Sequence, residues 1–277
     1  MRPVQQQTIL VTGATDGLGR ALARELARRG ATVLLHGRSR QRLEETGREI
    51  GQATGNHRLH GYLADLSSLQ DVRRLGSEVA GGQERLDVLV NNAGIGGAGP
   101  RRASVDGYEL HFAVNYLAPF LLTHLLLPLL RRSAPARIVN VASVGQARID
   151  FDDVMLERGY DPMRAYAQSK LAQVMFTFEL AGRLRAAGES GVTVNALHPA
   201  SLMNTKMVLE SFGYTMSTVQ DGMEATLRLV ISPELEGVSG RYYDRLREAR
   251  ADPQAYDPEG RLRLWRLSER LAGLPEG

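Results

Sequence analysis

Short apolar runs alternate along the chain with longer segments whose apolar positions recur every third or fourth residue. The runs Thr8–Thr12, Thr32–His36, Asp87–Asn91, Arg137–Val141 and Val192–Ala196 read as buried strands. A further strand ends near Tyr62-Leu63, and a short seventh falls at Gly240–Tyr243. Between them lie helical patterns. Leu18, Leu22 and Leu26 share one helix face that stops at Gly30, and Ser39 is placed to cap a polar helix reaching about Ile50. Asp65 opens a turn into a helix around 67–80. Strands this apolar, joined by helices, predict an α/β fold with a parallel sheet covered on both faces. No repeat or linker divides the 277 residues, so one domain, 1–277, is expected. A charged segment at about 245–277 ends with Leu262, Leu264, Trp265, Leu267 and Leu271, a terminal helix packed on the body.

The most apolar stretch, Phe112–Leu130, is interrupted by Asn115, Pro119, Thr123, His124 and Pro128. It reads as a buried or interface helix and not as a membrane span. With no cysteine there is no disulfide, thiol nucleophile or thiolate metal site. That agrees with a reducing compartment, and MRPVQQQ lacks the apolar core of a signal peptide, so a cytoplasmic location is expected. The net charge of +3 is small and its arginines are scattered, which gives no basis for a nucleic-acid face. The six histidines, at 36, 57, 60, 111, 124 and 198, form no metal-binding pattern. His57 and His60, three apart in one expected strand, should face opposite ways, and no metal is expected.

Only two of the 34 basic side chains are lysines, Lys170 and Lys206. Lys170 follows a tyrosine at helical spacing, in Tyr166-Ala-Gln-Ser-Lys170. Nine tyrosines and two lysines in 277 positions give a chance expectation of about 0.06 such pairs, so the pair invites a chemical reading. Arginine holds its proton permanently, whereas lysine tunes its pKa readily. The spacing sets a phenol beside a positive charge.

The first strand runs into Thr12-Gly13-Ala14-Thr15-Asp16-Gly17-Leu18-Gly19, where the helix opens. Glycines there allow a tight turn and close approach of a pyrophosphate, and the helix N-terminus favours the anion. The spacing Gly-x-x-x-Gly-x-Gly, together with Asp65-Leu66, Asn92-Ala93-Gly94, Asn115, Ser143, Tyr166, Lys170 and His198-Pro199 in that order, resembles the short-chain dehydrogenase/reductase family. The resemblance runs from about residue 8 to the C-terminus. It implies a Rossmann-type doubly wound sheet of about seven strands with helices on both faces.

It also implies roles. Gly13, Thr15, Asp16, Gly17, Leu18 and Gly19 would bind the dinucleotide, Asp65 and Leu66 would lie beside its adenine, and Asn92, Ala93, Gly94 and Pro199 would line it. The second strand ends in His36-Gly37-Arg38-Ser39-Arg40, with no acid to hold a ribose 2′-hydroxyl. Arg38 stands where the family binds a 2′-phosphate, so NADP(H) is expected over NAD(H), with Arg40 a second candidate. Tyr166 would be general acid in reduction and general base in oxidation, Ser143 would hold the substrate oxygen, Asn115 would hold a relay water, and Lys170 would assist Tyr166 and bind the ribose. Bringing a phenol from about 10 to near 7 needs roughly 4 kcal/mol.

Ser143 and Tyr166 are 23 residues apart, a long gap containing Ile149-Asp-Phe-Asp-Asp153. With Leu264-Trp265-Arg266-Leu267-Ser268-Glu269 it resembles the retinol-dehydrogenase-like and protochlorophyllide-reductase-like branch. Ala200 stands where the family usually has glycine. Residues about 200–220 match the family's substrate lid; Leu202, Met203, Met207, Val208, Leu209 and Phe212 suit an apolar substrate or packing on the body. Thr205 is placed to reach the cofactor, and Lys206 reads as a solvated loop lysine. The expected activity is alcohol–carbonyl interconversion on a medium-sized apolar small molecule. Carbon–carbon double-bond reduction and a non-catalytic NADP-binding sensor remain alternatives. The family commonly pairs the helices carrying Asn115 and Tyr166, which predicts a homodimer or homotetramer.

Overall fold

Eight strands, β1 (Thr8–Val11), β2 (Thr32–Gly37), β3 (Leu59–Leu63), β4 (Val88–Asn91), β5 (Ala136–Val141), β6 (Val192–His198), β7 (Tyr242–Asp244) and β8 (Arg247–Glu248), form one sheet in the computed structural model. Residues 1–275 and 277 are described, Phe212 by its backbone alone, so its expected lid side chain lies outside the described residues. The strand order is β3-β2-β1-β4-β5-β6-β7-β8. All pairings are parallel except β7 with β8. The eighth strand, one more than expected, is a two-residue antiparallel edge that ties residues 247–248 to β7. His57 lies before β3, so only His60 has a strand position.

The helices are α1 (Gly17–Arg28), α2 (Arg40–Thr54), α3 (Leu69–Gly82), α4 (Ala118–Arg132), α5 (Pro162–Ala186), α6 (Lys206–Phe212), α7 (Val219–Ile231) and α8 (Pro258–Ala272). Their starts follow from local chemistry. Asp16, Ser39, Ser68, Asp161, Thr205, Thr218 and Asp257 each cap one with a side-chain oxygen. Leu22 and Leu26 of α1 pack with Ile9, Val33 and Met223 on one face of the sheet. Leu75, Phe120, Leu121, Phe176 and Trp265 belong to the core on the other. Two cores, one per face, make the sheet doubly wound, as the apolar strands require.

Among the described residues one helical stretch, Phe112–Arg132, is long and apolar enough to cross a membrane, but 83% of its most apolar window is buried within the fold. Trp265 of α8 lies edge-on to Phe120 at 5.2 Å and stacks on Phe176 at 6.0 Å, with the Arg183 guanidinium 4.2 Å from its ring centre. The apolar side of α4 is therefore buried within the chain itself, beside α3 and with Trp265 of α8 against Phe120. The order of β1 and β4, which are neighbours although far apart in sequence, opens a crevice at the carboxyl ends of the central strands. Ligands bind at such a switch point in open α/β sheets.

Candidate active site

At the carboxyl end of β1 the chain turns sharply, with Gly13 at φ 67° and Gly17 at φ 45°. A Cβ on Gly13 would lie 2.9 Å from Ala93 Cα, and one on Gly19 2.2 Å from the Gly13 carbonyl oxygen. Only glycine lets α1 start this close to the turn. The turn is stitched to the end of β4. Thr12 Oγ1 accepts from the backbone N–H groups of Asn92 (2.9 Å) and Ala93 (3.0 Å), and Asn92 Nδ2 donates to the Thr12 carbonyl at 2.8 Å. Asn92, Ala93 and Gly94 thus follow β4 and do not end it. Leu18 and Leu66 are buried, as is Pro199, while Thr15 rests against Gly37.

Asp16 caps α1 through Gly17 N–H (2.8 Å) and pairs with Arg42 at 2.9 Å, a partner that no local pattern singles out. Arg38 and Arg40 are exposed, and among the described residues neither guanidinium has a partner. Asp65 is also exposed; its carboxylate accepts from Ser67 N–H at 2.9 Å. The glycine cradle and two unpaired guanidiniums beside it fit a phosphorylated dinucleotide in shape and charge.

The expected catalytic residues converge from three elements. Ser143 follows β5, and a Cβ on Gly145 would be 3.5 Å from its Oγ and 3.9 Å from Tyr166 Cε1, so the two side chains approach each other across this glycine. Tyr166 lies in the second turn of α5, which begins at Pro162, a residue that suits the first helical position. Lys170 stands one turn on, its ammonium 5.7 Å from the Tyr166 ring centre. It donates to the Val141 carbonyl at 2.9 Å and to Gln173 Oε1 at 3.0 Å. Asn115 sits in a π-helical turn, Phe112–Leu117, that leads into α4. Such turns are frequent at functional sites. Its side chain clamps Ile95 at both ends, accepting from its N–H at 2.8 Å and donating to its carbonyl at 3.2 Å, and donates to Ser169 Oγ at 3.0 Å. A Cβ on Gly94 would be 3.2 Å from Asn115 Oδ1 and 3.5 Å from Lys170 Nζ, so the two side chains meet across this glycine.

Burial pushes the Tyr166 phenol above its ordinary value, against a lowering by the Ser143 hydroxyl. Burial also brings Lys170 down to about 7.

Three further residues hold this end in place. Tyr242 of β7 donates to the Ser143 carbonyl at 3.0 Å. His111 contacts the Gly96 carbonyl through Nε2 at 2.6 Å and the buried Glu109 through Nδ1 at 2.8 Å. Neither Tyr242 nor the His111–Glu109 pair carries a local sequence signal, because their partners are distant or backbone. The long segment before α5 packs against the C-terminal region. Gln254 pairs with the Ile149 backbone, and the Arg263 guanidinium lies 4.8 Å from the Phe151 ring centre. Thr205 caps α6 through Val208 N–H (3.3 Å), and its methyl lies 3.1 Å from where a Gly17 Cβ would be. Lys206 is exposed and 3.7 Å from Glu210. Met203 packs on Gly222, while Met207 faces Gly96 beside the mouth.

The family model described as short chain dehydrogenase matches residues 7–212. Mouse Retinol dehydrogenase 13 is 41% identical over 97% of this chain and 84% of its own length. Human Retinol dehydrogenase 14 is 41% identical over 97% of this chain and 87% of its own. Among solved structures, an uncharacterized protein from Mycobacterium paratuberculosis superposes with TM-score 0.77 at 33% identity, covering 97% of this chain and 94% of that one. A short chain dehydrogenase from Escherichia coli CFT073, complexed with NADPH, does so with TM-score 0.71 at 30% identity, covering 87% and 96%.

Proposed function

We propose that this chain, which belongs to the short-chain dehydrogenase family, is an NADP(H)-dependent oxidoreductase that interconverts an apolar alcohol and its carbonyl compound. The observation that carries the reading is the convergence of Ser143, Tyr166 and Lys170 at the carboxyl end of the sheet, Ser143 and Tyr166 meeting across Gly145 and Lys170 lying over the tyrosine ring. A bound nicotinamide supplies or accepts the hydride. Ser143 holds the substrate oxygen, and Tyr166 gives that oxygen its proton as negative charge develops. Burial keeps the free phenol protonated, the form that can donate to a carbonyl oxygen. Lys170, charged, offsets the cost of the phenolate left behind. Asn115 fixes the Ile95 backbone beside the site.

Gly13, Thr15, Asp16, Gly17, Leu18 and Gly19 would cradle the pyrophosphate, and Asp65 and Leu66 would flank the adenine. Asn92, Ala93, Gly94 and Pro199 would line the nicotinamide side. The unpaired Arg38 supports a 2′-phosphate, as does the NADPH in the Escherichia coli neighbour. The exposed Val144, Met163 and Met207 border Ser143 and the Gly96-Gly97 loop, and the relatives are named for retinol, so an apolar substrate fits both.

The test is NADPH oxidation across aldehydes, ketones and enones, with Tyr166→Phe as control. We expect turnover on aldehydes or ketones that falls about a thousandfold in the variant, roughly 4 kcal/mol, with NADPH binding kept. Saturated carbonyl products from enones would favour double-bond reduction. NADPH binding without turnover anywhere would favour a sensor.

A further inference from the structure

His36 is the penultimate residue of β2, and it is 3% exposed. Its Nδ1 lies 3.1 Å from the backbone nitrogen of Gly13, and its Nε2 3.2 Å from the carbonyl oxygen of Ala64. A backbone N–H can only donate and a carbonyl can only accept, so the ring must accept at Nδ1 and donate at Nε2. That is a neutral imidazole in a single tautomer. Burial independently favours the neutral ring, bringing its pKa down to about 4 against the pull of Asp65.

The two partners belong to different walls of the crevice. Gly13 begins the glycine turn, and Ala64 precedes Asp65-Leu66. Backbone bonds at the end of β2 run beside these side-chain links. The His36 carbonyl accepts from Ala14 N–H at 2.9 Å, and the Gly37 carbonyl accepts from Ala64 N–H at 3.2 Å. There is no space beside them, since a Cβ on Gly37 would fall 2.7 Å from the Thr15 methyl. The end of β2 is therefore a hub from which both walls hang. The imidazole supplies one of the two links on each side.

We propose that His36 is a positioning residue for the dinucleotide, its neutral side chain locking the glycine turn to the Ala64–Leu66 wall so that both are preset for the ligand. The proposal rests on the dinucleotide reading of the crevice. Without the ring, Gly13 N–H and the Ala64 carbonyl lose their partners and each wall keeps a single link to β2. Preset walls spare a ligand the cost of ordering them, so loosening them weakens binding without touching the chemistry at Tyr166.

The experiment is NADPH and NADH binding to the full chain by nicotinamide fluorescence, with the melting temperature of each variant measured in parallel. His36→Asn places an acceptor near the Nδ1 position, and His36→Gln places a donor near Nε2, so each restores one bond. We expect His36→Ala to weaken NADPH binding about tenfold, the Asn and Gln variants to fall between it and wild type, and kcat at saturating NADPH to stay within twofold. Wild-type affinity in His36→Ala would overturn the proposal. So would Asn and Gln variants no better than Ala, or affinities that fall only in step with melting temperature. A wild-type chain that bound neither NADPH nor NADH would instead remove the dinucleotide reading, and the proposal with it.

Discussion

The two ends of the crevice handle buried polar groups in opposite ways. Around the glycine turn, Thr12, His36 and Asn92 are already paired with backbone, and the partners hold the turn in one shape. Around Tyr166 and Lys170 the same burial acts on ionisable groups, pushing the phenol up and the ammonium down. Lys170 has two neutral acceptors, Val141 O and Gln173 Oε1, and among the described residues hydrogen-bonds no carboxylate. One end spends its polar groups on shape. The other keeps ionisable groups in an environment where a nearby charge moves them easily, which acid–base chemistry near neutral pH requires.

After loss of the Tyr166 phenol itself, the largest expected effect separates charge from adjustability. Lys170→Arg keeps a positive side chain but replaces a compact ammonium that titrates at about 7 with a planar group that does not titrate. The buried space between Val141 O and Gln173 Oε1 is also shaped for one nitrogen. We expect turnover to fall on the order of a hundredfold or more, about 3 kcal/mol, with NADPH binding reduced far less. Steady-state kinetics beside fluorescence titration decides it. Near-wild-type turnover would break the comparison, because the catalytic end would then need only fixed charge.

The same contrast explains what the sequence made legible. Local signals were strong where one segment does the work. The glycine turn, the cap at Ser39, the Tyr166–Lys170 spacing and Asn115 within an apolar stretch could all be read in place. The sheet and its doubly wound character followed from apolar runs. What escaped depends on residues distant in the chain. Tyr242 reaches Ser143 across the sheet, and His36 finds its partners at Gly13 and Ala64. The apolar α4 was ambiguous between a subunit face and a core helix, because its cover, Trp265, comes from the far end of the chain. The eighth strand is too short to carry any periodicity. The lowered Lys170 is a consequence of burial, which no spacing rule contains.

Each end also holds one histidine that burial brings down to about 4. They are His36 at the turn and His198 at the end of β6, the latter with Asp244 raising and Arg245 lowering its value. Between about pH 6.5 and 4 the unfolded chain binds protons on these rings that the folded chain refuses. Stability is therefore fully present above about 6.5 and is lost as the pH falls toward 4. Each ring contributes at most roughly 3 kcal/mol to that loss. Urea denaturation at several pH values measures it, and His36→Asn and His198→Asn should each flatten the slope. An acid limb unchanged by His36→Asn would mean that the turn's imidazole carries no such cost and would blur the likeness between the two ends.

The smallest effect concerns the outer rim of the shape-holding end. Arg42 is committed to Asp16, whereas Arg38 and Arg40 are exposed and unpaired among the described residues. An exposed guanidinium contributes little to folding, so its removal should leave the melting temperature unchanged. Toward a 2′-phosphate it offers charge and a two-pronged donor. Arg38→Ala should lower the preference for NADPH over NADH about tenfold, near 1.4 kcal/mol, and Arg40→Ala less. Both are read as ratios of dissociation constants at one salt concentration, since added salt weakens exposed charge pairs. A ratio unmoved in Arg38→Ala but lowered in Arg40→Ala would shift the phosphate contact by two residues along the same helix start. A ratio unmoved in both would show that this end discriminates by the shape of its turn alone.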